Sequence, residues 1–491
     1  MANFPTMPRS TSVIGSAHSD ATLLGREALP DGRGGDKGQY GGELHHVLFG
    51  PNGVGKGMRV LVPNLLSLVG KSIVVIDPKG QLAAMTAKFR HQAGDEVKII
   101  DPFGVLADAV ASRPNEYRYL IQHGLVESCG FNPLAALHPE SPTFYDDAAV
   151  IADALIKVPD RDPHWAESAQ GLVAGLLMWE RLTQGENASL EHVRYLLTEA
   201  DDFEPFQGRD GKWRQRQVAG LSITANEMVR EGGFEIASLA ARFSAEHTND
   251  EMASVRSTAD TQTRWMLSRP MRDDLKKNGV DFRKLKTGDR PMTVYVVLPA
   301  NYLETHSIWL RLVVSEALRA NMTTGGRRVL LMLDEFAALG HLSIVQKLWG
   351  VTRDYRVQML PVFQDLPQLK SLYSERWETI LGMAGVVQSF RAGDMTTAEW
   401  VSKRSPTTTA VALSYSQGAG QSQGGASSNS GLSSNQIERP TIRAHDMFGL
   451  SNEYTVAWFA GQKNPSLLYM PHLDQLTLLK SRSLPNPYYR G

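Results

Sequence analysis

A glycine-rich loop with a lysine near its end is the sharpest chemical feature of this sequence. It follows the apolar run HHVLF, which is typical of a β-strand, and precedes a run with helical spacing. Its glycines let backbone N–H groups converge on phosphate oxygens, and Lys56 is placed to reach the outer phosphates. The pattern predicts a site for the phosphates of a nucleotide, with ATP as the expected ligand. The loop consists of Gly50, Pro51, Asn52, Gly53, Val54, Gly55, Lys56, Gly57 and Met58.

One position of this loop departs from the usual pattern. The residue after the lysine is normally Ser or Thr, whose hydroxyl binds Mg²⁺, but here it is Gly57. Water must then take that place in the metal's coordination shell. We therefore expect Mg²⁺ as a cofactor that is bound weakly.

A pair of carboxylates follows the apolar run VLLML. Such a run is typical of a buried strand, and Asp334 and Glu335 come directly after it. We expect Asp334 to be the magnesium ligand and Glu335 to orient or deprotonate an attacking water. The alternative is an acidic strand end that has no catalytic role.

Two further strand ends carry polar side chains. Gln364 follows the strand pattern RVQMLPVF and is placed to contact a γ-phosphate or the attacking water, although a plain turn residue is the alternative. Asp77 ends the strand SIVVI, and Pro78 and Lys79 follow it. The sequence leaves open whether Asp77 and Lys79 take part in catalysis or only support neighbouring groups.

The elements that must position these residues alternate between short strands and helices over 44–140 and again over 274–491. This alternation predicts an α/β fold with a mostly parallel sheet. Between these ranges, 141–273 has only helical spacing and is predicted to be an inserted all-α domain. Residues 1–43 are predicted to be a flexible arm, and 412–437, rich in Ser, Gly, Gln and Asn, a disordered loop.

Composition sets limits on the class of protein. The 51 basic and 52 acidic residues of the 491 nearly cancel, so the whole chain has no general attraction for nucleic acid. A single cysteine excludes an intramolecular disulfide, and no signal peptide or run of 18 apolar residues is found, which predicts a cytoplasmic protein. Two local stretches, 208–217 and 261–274, combine Arg or Lys with Trp and are candidates for polyanion contact. Solvated helix faces are the alternative for both.

A series of motifs in a fixed order resembles the coupling-protein ATPases of type IV secretion and conjugation, of the TraG/TraD type. The resemblance implies a RecA-like nucleotide-binding domain with an inserted all-α domain, assembled as a homo-hexamer. It also implies that ATP hydrolysis delivers relaxase-bound single-stranded DNA or protein effectors to the components of a secretion channel. Gly57 is compatible with it, because that family tolerates glycine after the lysine. The motifs are LLGRE, HHVLFGPNGVGKG, VVIDPKGQL, IIDPFG, CGFNPLA, HWAESAQGLVAGLL, LLMLDEFAALG, VFQDLPQL and ERPTIRAHD.

The implied ring has consequences for the site and for the membrane. Ring ATPases complete each site with a cation from the neighbouring subunit, for which Arg353, Arg356 and Arg391 are candidates. Arg391 is favoured because it follows the strand pattern VVQSF. Members of this family usually begin with transmembrane helices, so we expect contact with the inner membrane only through a partner or a missing N-terminal segment. A low-turnover nucleotide-gated receptor and a DNA pump of the chromosome-partitioning or repair type are the alternative functions.

Overall fold

The computed structural model describes residues 21–28, 34–159, 162–200, 202–218, 220–244, 250–422 and 425–489. The strands are β1 (Thr22–Ala28), β2 (Gly34–Tyr40), β3 (His46–Phe49), β4 (Ser72–Ile76), β5 (Glu96–Ile100), β6 (Asp202–Gln207), β7 (Trp213–Val218), β8 (Met292–Val296), β9 (Val329–Leu333), β10 (Val357–Phe363), β11 (Val386–Ser389), β12 (Thr407–Ser422), β13 (Gly425–Pro440), β14 (Tyr454–Phe459) and β15 (Ser466–Tyr469).

The α-helices are α1 (Val62–Leu65), α2 (Gln81–Gln92), α3 (Val105–Ala111), α4 (Arg118–Gln122), α5 (Phe144–Leu155), α6 (His164–Gln184), α7 (Leu190–Thr198), α8 (Gly220–Glu231), α9 (Gly233–Ala240), α10 (Asp250–Thr263), α11 (Arg269–Leu275), α12 (Lys284–Thr287), α13 (Ser307–Arg319), α14 (Ser343–Leu348), α15 (Leu366–Tyr373), α16 (Trp377–Gly382), α17 (Met395–Arg404), α18 (Ala444–Phe448) and α19 (Thr477–Arg482). In the described parts of the chain, no helix is both long and apolar enough to span a lipid bilayer.

The chain divides into two compact units. The first unit contains 1–60 and 362–476, and the second contains 61–361 and 477–491. This boundary differs from the predicted one, because the helical range 141–273 lies in the same unit as strands of an α/β sheet. The separation of 141–273 as a domain of its own stays a prediction.

The first unit contains a mixed sheet in the order β2, β1, β15, β14, β11, β3. The β3 strand is buried at every residue and runs parallel to β11, which pairs antiparallel with β14. On the other side of β3, the last two residues of β10 pair in parallel with Leu48 and Phe49. The strands β3, β10 and β11 therefore end at one edge, where polar residues follow each of them.

Two of the sequence predictions are wrong in this unit. Within the range 1–43, predicted as a flexible arm, β1 and β2 form a hairpin, and β1 also pairs with β15. The backbone of β1 forms hydrogen bonds with a strand that lies more than 400 positions away in the sequence. The composition of the segment gives no indication of this distant partner. Within 412–437, predicted as a disordered loop, β12 and β13 pair antiparallel along their length. Residues 1–20, 29–33 and 423–424 lie outside the described part of the chain.

The second unit contains a parallel sheet in the order β10, β9, β4, β8, β5, to which β10 contributes 357–361. The strands SIVVI and VLLML are buried at every position, as expected for strands covered by helices on both faces. Adjacent residues Ile76 and Leu333 are paired in register. The polar residues that follow β4 and β9 therefore emerge side by side.

The helical part of the second unit is organised around α6, which packs against α5, α7, α9 and α10. It is attached to the rest of the unit through α5, where Asp147 forms a 2.5 Å ion pair with Arg319 of α13. Asp153 of the same helix accepts a 2.6 Å hydrogen bond from Ser343. The prediction that this range is all-α is wrong in one place, because β6 and β7 form a hairpin within it.

Candidate functional site

The glycine-rich loop begins at the buried end of β3. The N–H of Gly50 donates a 3.0 Å hydrogen bond to the carbonyl of Phe363, which fixes the start of the loop against β10. Gly53 and Gly55 have φ angles of 81° and 87°, in the left-handed region that favours glycine. A Cβ atom placed on Gly53 would meet no atom within 4 Å. The turn thus depends on glycine for its backbone and leaves open space above it.

Lys56 lies folded over the loop that precedes it. Its ammonium group donates a 2.6 Å hydrogen bond to the carbonyl of Gly50 and a 3.3 Å hydrogen bond to that of Pro51. The next residue, Gly57, begins a short π-helix that ends at Leu61. The lysine, the loop and the start of the helix thus form a compact cradle of the kind that holds phosphate oxygens.

Arg59, directly after the loop, is a second cation that the sequence did not single out. Its N–H donates a 2.8 Å hydrogen bond to the carbonyl of Gly55, and its side chain lies beside Gly55, where a Cβ would be 3.2 Å from Nε. The guanidinium group also donates to the carbonyl of Met470. Its position three residues after Lys56, on the first turn of a helix, is the signal that could have found it.

Gln364 stands where the sequence predicts, directly after β10 and half-buried. Its N–H donates a 2.9 Å hydrogen bond to the side chain of Gln368. The next residue, Asp365, caps α15 by accepting a 2.9 Å hydrogen bond from the N–H of Gln368. This cap fixes the turn that carries Gln364.

Arg391 is also at this edge of the first unit. It follows the end of β11, and its Nε donates a 3.2 Å hydrogen bond to Asn452. Residues on either side of it approach the glycine-rich loop of the same chain. A Cβ on Gly50 would lie 3.0 Å from Phe390, and one on Gly393 would lie 3.3 Å from Pro51. The first unit therefore brings together the loop, Gln364 and the segment that contains Arg391.

The second unit brings together the carboxylates. Asp77 and Asp334 follow the neighbouring parallel strands β4 and β9. Burial raises the pKa of Asp77 to about 7, and the negative charge of Asp334 adds to the increase. The N–H of Ala83 donates a 2.8 Å hydrogen bond to Asp77, which opposes that increase. Asp77 is thus a buried carboxyl group that is fixed by a backbone hydrogen bond. Asp334 is half-buried and more accessible to solvent.

Glu335 has the backbone conformation of a tight turn. Its φ is 56° and its ψ is 46°, a left-handed conformation that a glutamate rarely adopts. Unusual backbone of this kind is concentrated at functional positions. Arg353 and Arg356, the other arginine candidates, lie in and directly after the short helix before β10.

A magnesium site in this chain would depend on few protein ligands. Among the described residues, no three His, Cys, Asp or Glu side chains are grouped so that they could hold a metal ion. Asp334 would have to share the ion with water and phosphate oxygens, which is how Mg²⁺ is usually held in nucleotide sites.

Comparison with known families covers nearly the whole chain. Residues 12–112 and 124–466 match the family described as Type IV secretory system Conjugative DNA transfer. The chain belongs to this family. The match includes the glycine-rich loop, the two carboxylates after β9, Gln364 and Arg391. The resemblance found in the sequence is therefore confirmed.

Curated relatives in this family are conjugation and secretion proteins. The conjugal transfer protein TraG of Rhizobium radiobacter is 25% identical over 440 residues, which cover 87% of this chain and 61% of TraG. The type IV secretion system-coupling protein VirD4 of Bartonella quintana is 23% identical over 348 residues, covering 68% of this chain and 48% of VirD4. The chain thus spans about half to three fifths of the length of these relatives.

Solved structures of a plasmid coupling protein share the fold. The plasmid coupling protein TrwB, in complex with the non-hydrolysable ATP analogue ADPNP, superimposes with a TM-score of 0.59 and 13% identity. The likeness covers 88% of this chain and 86% of TrwB. TrwB in complex with ADP and Mg²⁺ gives a TM-score of 0.58 at 14% identity, with 87% and 85% covered. The predicted α/β fold with a RecA-like P-loop architecture is confirmed by this likeness.

Proposed function

We propose that this chain is the coupling ATPase of a type IV secretion or conjugation system. ATP hydrolysis then powers delivery of relaxase-bound single-stranded DNA or protein effectors to the components of the secretion channel. The observation that carries the proposal is the family match over 12–112 and 124–466, which includes every residue assigned below. We further propose that the working form is a homo-hexamer at the inner membrane, where contact is made through a partner or a separate N-terminal segment.

The glycine-rich loop fits the phosphates of ATP. The open space above Gly53 and the backbone turn that its φ of 81° produces leave room for phosphate oxygens. Lys56 exchanges its hydrogen bonds with the carbonyls of Gly50 and Pro51 for contacts with the outer phosphates. Because those carbonyls already hold the ammonium group over the loop, little reorganisation of the lysine is required.

The carboxylates after β9 divide the remaining work. Asp334 holds Mg²⁺, which supplies neutralisation of phosphate charge when bound. Glu335 orients the attacking water and accepts its proton at a carboxylate oxygen. Two carboxylates that lie next to each other in sequence can take different roles because the left-handed backbone at Glu335 turns the chain between them.

Gln364 and Arg391 complete the proposed set. The capped turn after β10 holds Gln364 for a hydrogen bond to the γ-phosphate or to the water. Arg391 supplies a positive charge to the transferred phosphate from a neighbouring subunit. Its proximity to the loop of its own chain makes the same role within one subunit the alternative that must be tested.

The test is steady-state ATP turnover by the purified protein with Mg²⁺. It is measured alone, with single-stranded DNA, with duplex DNA and with C-terminal peptides of candidate effectors. Turnover that is stimulated by a cargo and absent in Lys56→Ala supports a coupling ATPase. Tight ATP binding without turnover under every condition would instead identify a nucleotide-gated receptor. Stimulation by duplex DNA, in a protein whose deletion leaves conjugation and secretion intact, would identify a DNA pump.

A further inference from the structure

The hairpin of β6 and β7 is a β-element within the helical part of the second unit. Its strands are connected by a tight turn, in which the N–H of Gly208 donates a 2.9 Å hydrogen bond to the carbonyl of Lys212. The N–H of Gly211 donates a 2.8 Å hydrogen bond to the carbonyl of Gly208. Register places Trp213 directly opposite Gln207, next to this turn. The conformation of the hairpin tip is thus well defined by its own backbone.

The tip presents an indole ring to solvent. Trp213 is 71% exposed, although burying a tryptophan is among the most favourable contributions a side chain makes to folding. Side chains alternate between the two faces of a hairpin, so Trp213 shares its face with Pro205, Gln207 and Gln215. These neighbours are exposed and uncharged. The tip of the hairpin therefore carries an uncharged face with the large aromatic ring of Trp213.

The turn next to this face carries exposed cations. Arg209 and Lys212 are exposed in the turn. Arg214, on the opposite face from Trp213, forms a 2.7 Å ion pair with Asp210. The cations of the turn thus remain available to an anionic ligand, while the acidic residue of the turn is neutralised.

The second basic stretch of the sequence, 261–274, is built differently. Its Trp265 is only 6% exposed. Arg264 is paired with Asp260 at 2.9 Å, and Arg272 with Glu191 at 3.2 Å. From sequence alone, 208–217 and 261–274 are equal candidates for polyanion contact. In the structure, the tryptophan of 261–274 is packed in the interior and its arginines form ion pairs. The hairpin is distinct in leaving its tryptophan uncovered.

We propose that the hairpin tip is a contact site for single-stranded nucleic acid, with one base stacked on Trp213 and the backbone phosphates beside Arg209 and Lys212. An exposed aromatic ring flanked by cations is the arrangement that binds single strands without reading their sequence. In a duplex the bases are stacked on each other and their faces are not offered to an indole. The proposal rests on the proposed delivery of single-stranded DNA and deepens it, because it assigns the contact with that substrate to residues that take no part in binding nucleotide.

The test uses the whole chain and a 5′-fluorescein-labelled oligo(dT) of 20 nucleotides, without ATP. Fluorescence anisotropy gives the Kd at several salt concentrations. Trp213→Ala should weaken binding roughly 5- to 150-fold, the range for loss of one stacked base. Trp213→Phe keeps a stacking surface and should recover most of the affinity. Phe234→Ala is the matched control, since Phe234 is 82% exposed on α9 and should have no effect.

The two cations have a separate signature. Arg209→Ala/Lys212→Ala should make binding less dependent on salt and reduce the slope of log K against log salt by about 1.4, because each phosphate contact with a single strand contributes about 0.7. The proposal is overturned if the unsubstituted chain does not bind the oligonucleotide or if Trp213→Ala binds it equally well. It is also overturned if Trp213→Ala weakens only the binding of an effector peptide. None of these measurements depends on nucleotide, so loss of ATP binding in Lys56→Ala leaves them unaffected.

Discussion

The carbonyl of Glu335 accepts a 2.9 Å hydrogen bond from the N–H of Ala338, three residues later in the turn that follows β9. This turn requires a left-handed backbone at Glu335, with φ at 56°. A glutamate in this conformation costs about 1 kcal/mol or more relative to glycine. The fold thus tolerates strain at the residue that we propose to activate water, and this strain can be measured separately from the chemistry.

Two substitutions at Glu335 should therefore separate stability from activity. Glu335→Gly should leave stability unchanged or raise it by about 1 kcal/mol, because glycine adopts this φ without strain, and it should abolish turnover. Glu335→Gln keeps the strained backbone, so its stability should match that of the original chain. It should bind ATP and fail to hydrolyse it, since the amide cannot accept a proton. The measurements are urea unfolding, ATP binding and steady-state turnover.

A clear loss of stability in Glu335→Gly would show that the glutamate side chain makes contacts that outweigh the strain. Near-normal hydrolysis by Glu335→Gln would remove Glu335 from the proposed mechanism.

Magnesium affinity should depend on Gly57. A Cβ placed on Gly57 would meet no atom within 4 Å, and its φ lies outside the left-handed region, so a larger side chain is sterically acceptable. Gly57→Thr adds the hydroxyl that the loop lacks and should lower the Mg²⁺ concentration needed for half-maximal nucleotide binding. Gly57→Val has the same shape without the hydroxyl and is the control. Equal Mg²⁺ dependence in Gly57→Thr and Gly57→Val would mean that another group already fills this place.

The parts that sequence predicted well are those whose signal is local. The run HVLF followed by the glycine-rich loop, and VLLML followed by Asp334 and Glu335, form strands and turns where the patterns indicate. A continuous apolar run reports burial on both faces, and a glycine reports a backbone that other residues avoid. Both signals are carried by adjacent residues and need no knowledge of the rest of the fold.

The parts that sequence missed depend on distant partners. Arg26 of β1 pairs with Tyr469 of β15, and the sequence around Arg26 has no feature that announces this partner. The same holds for Trp213 and Trp265, whose surroundings in sequence are similarly basic although one is exposed and the other buried. Only tertiary contacts decide which tryptophan remains available for a ligand.

A buried histidine should make the first unit sensitive to acid. His46 is fully buried, and its Nε2 lies 2.9 Å from the side-chain oxygen of Gln388. The amide nitrogen of Gln388 donates to the carbonyl of Leu24, so its oxygen faces His46 and accepts the Nε2 hydrogen. Among the described residues, Nδ1 has no hydrogen-bond partner. A second proton on the ring would be buried and unpaired, and burial lowers the pKa of His46 to about 4.

The sign of the pH effect follows from this lowered pKa. Between pH 6.5 and pH 4 the unfolded chain binds a proton at His46 and the folded chain does not, so acid favours unfolding. The contribution is complete above pH 6.5 and falls by about 3 kcal/mol by pH 4. His46→Gln should flatten the pH dependence of urea unfolding over this range. An unchanged pH profile in His46→Gln would show that the ring takes up its proton as readily in the folded protein as in the unfolded chain.

The last prediction decides whether Arg391 acts within its own subunit or on a neighbour. The structure places the segment around Arg391 beside the glycine-rich loop of the same chain, through the approach of Gly393 to Pro51, whereas the ring argument assigns the arginine to the next subunit. Lys56→Ala and Arg391→Ala should each be inactive alone. If the arginine acts between subunits, mixing the two variants creates interfaces in which an intact Lys56 meets an intact Arg391 of the neighbour. In an equal mixture about one interface in four pairs an intact loop with an intact arginine. Turnover should therefore recover to roughly a quarter of normal. If it acts within one chain, no subunit of the mixture contains both intact groups and the mixture stays inactive. Lys56→Ala mixed with Lys56→Ala/Arg391→Ala is the control, since no subunit in that mixture has an intact lysine. Activity of Arg391→Ala alone would remove Arg391 from the site altogether and direct the same experiment to Arg353 and Arg356.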